Sequence, residues 1–306
     1  MKKKMVLSFV LMLMVSLLAV GCGESEEDTA GPTASESSNE DSSENSDWPT
    51  KLRFADTGLE GMEELQRTFG PFVEVLEEVL EVEVEFFPVT DRTIATTALE
   101  FDQVDVVLAG PSEYAQIRSA VEGAEPIISI QRGEYSSAII VHEDSDFHSA
   151  EDLMGSTIAM KDAGSTSGHI GPSAILVENG FDLDEDVEIL LLDDARIEAF
   201  KNHDVDVLAT GIRDFHNMVE EDGEGKYRLL IEGPPLPADP FVVNPELPED
   251  FVKEMQRRLL ENEERIMESI LSSGERDKYL DAGLIEAEDS DYDLMRETYR
   301  VLGIDL

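Results

Sequence analysis

The sequence predicts an α/β protein of two similar lobes, each a doubly wound sheet with flanking helices, joined by a hinge around a cleft. Three observations carry this expectation. Short apolar or alternating segments take turns with helical ones through most of the chain, as in sheets built from βαβ units. One phrase recurs, "DQVDVVLAG" at 102–110 and "HDVDVLATG" at 203–211, so two units end in the same way. Two stretches, 136–141 and 234–243, are placed to carry the chain from one unit to the other and back. At 306 residues there is ample length for both cores.

The elements follow in order. "KLRFAD" is a short strand, and "GMEELQRTFGPFVEVLEEVL" spaces Met62, Leu65, Phe69, Phe72, Leu76 and Val79 as on one helix face, with Pro71 expected to kink or restart it. "VEVEFFPV" alternates Val82, Val84 and Phe86 with Glu81, Glu83 and Glu85, a half-buried strand. "TIATTALEF" is helical, and "VDVVLAG" is an apolar run suited to a buried parallel strand. The second unit repeats the pattern. Strands are predicted at "SSAIIVHEDS", "STIAMKD", "DVEILLL" and "VDVLATG", and helices at "SAEDLMG", "SAILVENG" and "ARIEAFKNH". After "YRLLIEGPPLPADPFVV" the chain is predicted to be helical from Pro248 onward, with those helices packed on the first lobe. Lobe 1 is assigned to 51–138 with 240–306, and lobe 2 to 139–239.

The first fifty residues belong to neither lobe. Lys2, Lys3 and Lys4 precede an apolar run at 5–20 and then Gly21-Cys22, the layout of a secretory signal. The run is shorter than the ~20 residues that span a bilayer. "LLAVGC" resembles the lipobox of bacterial lipoproteins, with Ala19 where leucine is usual. The resemblance makes 1–21 a signal peptide and Cys22 a lipid-bearing first residue. Cys22 is the one cysteine of the chain and has no internal partner for a disulfide. Residues 23–49 are Ser, Glu, Asp, Asn and Gly with almost nothing apolar, too little to offset the entropy of ordering. They make 22–50 a lipidated acidic tether with a reach of about 30 Å. The protein is therefore expected to be exported and anchored at the outer face of the cell membrane or in the periplasm.

Charge excludes several classes of partner. The formal net charge is −46, and residues 51–306 alone hold sixty acids against twenty bases. Phosphate-rich nucleic acids need the opposite sign, and an anionic membrane surface would repel this one. A dense acidic surface suits solubility in high salt, which makes a halophilic source the expectation.

The most informative stretch is "DAGSTSGHIGP" at 162–172, where Ser165, Thr166 and Ser167 sit between two glycines at a strand-to-helix turn. A helix N-terminus leaves N–H groups unpaired and carries partial positive charge, so the hydroxyls there complete an anion cradle. A capped helix that binds nothing uses the same residue types. The surrounding motifs bear on the choice. "DAGSTSGHIGPSAIL" is similar to the serine-threonine-serine turn of the phosphate/phosphite/phosphonate-binding proteins of ABC importers. "ALEFDQVDVVLAGPSEY", "GEYSSAIIVHEDSDFHSAEDLMG" and "GPPLPADPFVVNPELP" resemble, in order, the first-lobe strand, the crossover and the return of the same family. The resemblance runs from about Leu52 to about Arg257. It implies the type II periplasmic-binding-protein fold. It also implies a small oxyanion held between the lobes, a partner permease with its ATPase, no cofactor, and a monomer.

Within that resemblance Ser165, Thr166 and Ser167 are expected to hold the oxyanion, and Tyr135 to donate its phenol to it. Asp239 takes the place of the return-motif aspartate, which would favour a ligand carrying an O–H or an ammonium. Three positions depart from the family pattern: Arg92 where many members have tyrosine, Asp193 in place of a histidine, and Arg213 where aminoalkylphosphonate binders have glutamate. Two readings are open for the arginines: a clamp on a second anionic group of the ligand, or neutralisation of Asp193 and Asp239. Delivery of another organic anion such as a sulfonate, or ligand sensing for a membrane kinase, is open on the same fold. An enzyme is not expected: Thr166 occupies the centre of "GSTSG" where a nucleophile elbow needs serine, and His169 has no evident partner. Nor is a metal site, since the histidines at 142, 148, 169, 203 and 216 lack ligand spacing, and His142 and His148 flank what reads as an exposed loop.

Overall fold

The computed structural model describes residues 48–58 and 61–306. The signal segment, Cys22 and the acidic tether as far as residue 47 lie outside the described residues; Trp48, at the end of the expected tether, packs edge to face on Phe251 at 5.4 Å. Strand β1 (Lys51–Asp56) begins a sheet and is followed by helix α1 (Met62–Leu80) and strand β2 (Glu83–Phe86), which lies parallel to β1 with Leu52 opposite Val84. Helix α2 (Ile94–Glu100) leads to β3 (Val106–Leu108), parallel to β1 on its other side. Helix α3 (Pro111–Ala120) then leads to β4 (Glu125–Gln131).

The chain next crosses to a second sheet. β5 (Ser137–His142), β6 (Thr157–Met160), helix α4 (Gly171–Glu178), β7 (Glu188–Leu191), α5 (Ala195–Lys201), β8 (Val207–Gly211), α6 (Ile212–Asp222) and β9 (Tyr227–Glu232) follow in order. This sheet is ordered β7-β6-β8-β5-β9, with β6 parallel to β7 and β8, and β5 antiparallel to β8 and β9. The chain returns as β10 (Asp239–Val243), antiparallel to both β3 and β4. It ends with α7 (Glu249–Glu261), α8 (Glu263–Leu271), β11 (Gly283–Glu286) and α9 (Asp293–Val301). The first sheet is ordered β11-β4-β10-β3-β1-β2.

Each sheet is covered on both faces. One face of the first packs Phe54, Phe69, Phe72 and Phe241 into a cluster with Phe251, Met255, Ile266 and Ile270 from α7 and α8, and Phe54 and Phe72 meet edge to face at 5.4 Å. The other face packs Leu99, Tyr114, Ile117 and Tyr292. In the second sheet Ile139, Ile158 and Leu176 fill one side and Ile140, Phe200 and Leu208 the other. Helix α9 packs Met295 and Tyr299 against Ala115 of α3 and against Ile170, which directly precedes α4, and so touches elements attached to both sheets.

Several expectations change. Helix α1 runs unbroken through Pro71, because the buried stripe on either side of it faces one core and outweighs the single lost backbone bond. The C-terminal region is not wholly helical. β11 adds to the sheet edge, but four residues with only Leu284 buried give no readable alternation. Strand β4 and helices α3 and α6 were not anticipated. In α3 even Ser112 and Glu113 are buried, so the amphipathic signature is absent. The loop at 143–147 is exposed or half-buried as expected, and His142, which ends β5 before it, is buried with its ring stacked on Phe200 at 4.2 Å and on His203 at 3.8 Å. Among the described residues no helix is long and apolar enough to cross a membrane.

Candidate functional site

The carboxyl ends of β1 and β3 in one sheet, and of β6 and β8 in the other, open on a common cavity of about 540 Å³. This is where parallel α/β sheets place ligands, because the loops there are free of the helix packing that buries the strands. Its lining includes Asp56 at the end of β1 and Gly58 beyond it, Gly110 and Glu113 at α3, Lys161 and Asp162 after β6, and Arg213 on α6.

The hydroxyl turn forms one wall. Residues 166–170 make a single wide helical turn that continues into α4, with Ser165 at its mouth. Gly164 has φ +89°, a conformation that a residue with a Cβ rarely adopts. At Gly168 a Cβ would stand 2.6 Å from that of Lys161, so glycine lets the turn close on β6. The backbone N–H of Gly164 donates to Nδ1 of His169 at 3.1 Å, and burial pushes the His169 pKa down, which keeps the imidazole an acceptor. His169 thus has a partner that sequence could not show: it clamps the turn.

Ser165 and Thr166 are 6% and 4% exposed, while Ser167 is half-buried. The turn meets α3 directly. The Ser112 N–H donates to the Thr166 hydroxyl at 3.1 Å, and Thr166 donates to Glu113 at 3.2 Å. The Ser112 hydroxyl lies 2.7 Å from Thr166, from Glu113 and from the Gly164 carbonyl. Tyr135 lines the same cavity as Thr166, and burial raises its phenol to about 12 despite the neighbouring charge of Arg132.

The three departures are placed as follows. Arg92 donates to Asp162 and, at 2.8 Å, to Glu113. Burial works against its charge, but Glu113 and Asp162 hold its pKa above the ordinary value. Arg213 pairs with Asp277 at 3.3 Å, and its Nε is buried without a hydrogen-bond partner among the described residues. Neither arginine neutralises Asp193 or Asp239, which corrects that expectation. Asp193 has φ +46°, is exposed, and lies 3.6 Å from Lys161. Its carbonyl accepts from buried Arg196, which also bonds Asp214 at 2.6 Å.

Asp239 is 1% exposed at the start of β10, and its partners were missed by sequence. Arg132 donates to its Oδ2, Tyr279 does so at 2.7 Å, and Lys278 at 3.3 Å. Burial would raise the Asp239 pKa, but Arg132 and Lys278 overcome it and hold the carboxyl at about 2. It is a counter-ion, and its O–H-accepting role survives only at Oδ1, which has no partner among the described residues. Arg276 completes the group, 2.5 Å from Asp56. Seven of the twenty bases in 51–306 line this one cavity: Arg92, Arg132, Lys161, Arg196, Arg213, Arg276 and Lys278. No group of three or more His, Cys, Asp or Glu able to hold a metal occurs among the described residues.

A model of the family described as ABC transporter, phosphonate, periplasmic substrate-binding protein matches residues 60–292. The phosphate-import protein PhnD of Mycolicibacterium smegmatis is 27% identical over 141 residues, a match that spans 44% of this chain and 43% of that protein. The structure of PhnD1 from Prochlorococcus marinus in complex with methylphosphonate superimposes with a TM-score of 0.66 at 21% identity, covering 83% of this chain and 99% of that one. XAC2383 from Xanthomonas citri bound to ATP gives 0.68 at 17% identity, over 83% and 97%. At these identities the likeness is one of fold, the type II periplasmic-binding-protein architecture that the sequence predicts.

Proposed function

The chain belongs to the periplasmic phosphonate substrate-binding proteins of ABC transporters, and we propose that it captures a phosphorus oxyanion, whether phosphate, phosphite or a phosphonate, in the cleft between its sheets. The family is one of exported binding components rather than enzymes. The observation that carries the ligand reading is the hydroxyl turn: Ser165, Thr166 and Ser167 at the entry to α4, on the cavity wall. Ser167 has no hydrogen-bond partner among the described residues, and with the turn's N–H groups and the Tyr135 phenol it offers donors to a tetrahedral anion. Thr166 joins the same turn to α3, so the contact between the sheets and the grip on the anion share one residue. Capture and closure are thereby one event.

In this reading Cys22 carries lipid, residues 23–50 tether the binding part, and the protein works as a monomer that delivers its ligand to a permease driven by an ATPase. The acidic exterior fits a saline habitat, where salt screens a long-range field that otherwise opposes anion capture. Calorimetry in molar potassium chloride against phosphate, phosphite, methylphosphonate and an alkanesulfonate tests the class. Tight binding is expected for a phosphorus oxyanion. A chain that bound the sulfonate alone would belong to a different transport task.

A further inference from the structure

We propose that the cavity holds a second anion subsite formed by Arg132, Arg213, Arg276 and Lys278, and that the preferred ligand is a phosphonate carrying a carboxylate on a short chain. The inference rests on the reading of the hydroxyl turn as the first oxyanion site.

Four cations come together here from distant parts of the chain: Arg132 between β4 and β5, Arg213 on α6, and Arg276 and Lys278 between α8 and β11. Three carboxylates pair with the four, Asp277 with Arg213, Asp56 with Arg276, and Asp239 with the other two. Arg132 and Lys278 share one oxygen of Asp239. Burial, with the charges of Arg276 and Arg132, pulls Lys278 down to about 7 against Asp239 and Asp56. Cations that repel one another in a cavity are stabilised by an anion placed among them. The donor inventory points the same way. Arg276 is 5% exposed, and Nε of both Arg276 and Arg213 is buried without an acceptor among the described residues.

Position sets the length of the ligand. The Arg132 guanidinium lies 3.9 Å from the centroid of the Tyr135 ring, and Tyr135 lines the same cavity as Thr166 and Ser167. The two subsites therefore share one cavity with Tyr135 beside both, which suits two anionic groups carried on one short ligand. An ammonium in the same place would meet Asp239 Oδ1, the one cavity carboxylate oxygen that is fully buried without a partner among the described residues, with Arg132, Arg276 and Lys278 beside it.

The test is calorimetric titration of the full chain in molar potassium chloride with phosphonoacetate, methylphosphonate and 2-aminoethylphosphonate. The wild type is compared with Lys278→Met, Arg213→Gln and Thr166→Ala/Ser167→Ala, each checked for an intact thermal transition. Lys278 and Arg213 are 31% and 34% exposed, so their substitution leaves the core in place. The expected result is phosphonoacetate bound about tenfold or more tighter than methylphosphonate by the wild type, the ratio falling to about threefold or less in the two single variants. An unchanged ratio in both variants, or 2-aminoethylphosphonate bound as tightly as phosphonoacetate, overturns the second subsite alone. Undiminished binding by Thr166→Ala/Ser167→Ala, or no binding of any of the three by the wild type, overturns the first site and the second with it.

Discussion

At Asp239 one buried carboxylate oxygen meets the guanidinium of Arg132, the ammonium of Lys278 and the phenol of Tyr279. The proton affinities there have opposite consequences for stability. Asp239 is depressed to about 2, so its contribution is complete above the unfolded carboxylate value near 4 and is lost as pH falls toward 2. Lys278 is depressed to about 7, so between about 7 and 10.5 the unfolded chain binds the extra proton and stability rises with pH. Below 7 both states are protonated and the repulsion from Arg276 and Arg132 is fully present. Thermal unfolding from pH 7 to 10 should therefore show the wild type gaining stability relative to Lys278→Met, whose curve lacks this component. Parallel curves would mean that Lys278 keeps an ordinary affinity for its proton. The sequence pointed to Asp239 through "PADP" but not to its partners. They stand at 132 and at 278–279, and "GERDKY" looks like any solvated run of charge until the fold brings it to the cavity.

The hydroxyl turn was legible because everything it needs lies within eleven residues: glycines for the close approach, hydroxyls for the donors, and a helix behind them. What it touches was not legible. Ser112, Glu113 and Arg92 reach it across the cavity from a helix too buried to show a polar face and from the loop after β2. Gly168 gives the element its own test. Gly168→Ala forces a Cβ to within 2.6 Å of that of Lys161, so the turn or β6 must shift. The expected cost is about 1–3 kcal/mol of stability with weaker oxyanion binding. Wild-type affinity and melting in that variant would show that the turn tolerates a looser seat. Strands with clear alternation, such as β2, and helices with one apolar stripe, such as α1, were readable for the same local reason. Strand β11 borrows its order from β4 and was not.

For the whole molecule, the distribution of charge matters more than its sum. Residues 51–306 hold sixty acids and twenty bases, and seven of those bases face one cavity together with ten of the acids, so the scarce cations are concentrated there. Self-repulsion of the acidic surface weakens the compact state and is screened by salt, with a Debye length of about 3 Å at 1 M against about 10 Å at 0.1 M. The unfolding temperature should rise by several degrees or more between 0.1 M and 1 M potassium chloride. A flat dependence would remove the link between the acidic surface and a saline habitat.

The measurement closest to the central claim is methylphosphonate titration of the wild type and of Thr166→Ala/Ser167→Ala in molar salt, with circular dichroism as the check on folding. Loss of the Ser167 hydrogen bond to a charged ligand, and of the Thr166 link that seats the turn on α3, predicts affinity lower by about tenfold or more, with the secondary structure retained. Equal affinity in the two proteins would contradict the account, because the anion would then be held somewhere other than the turn at the head of α4.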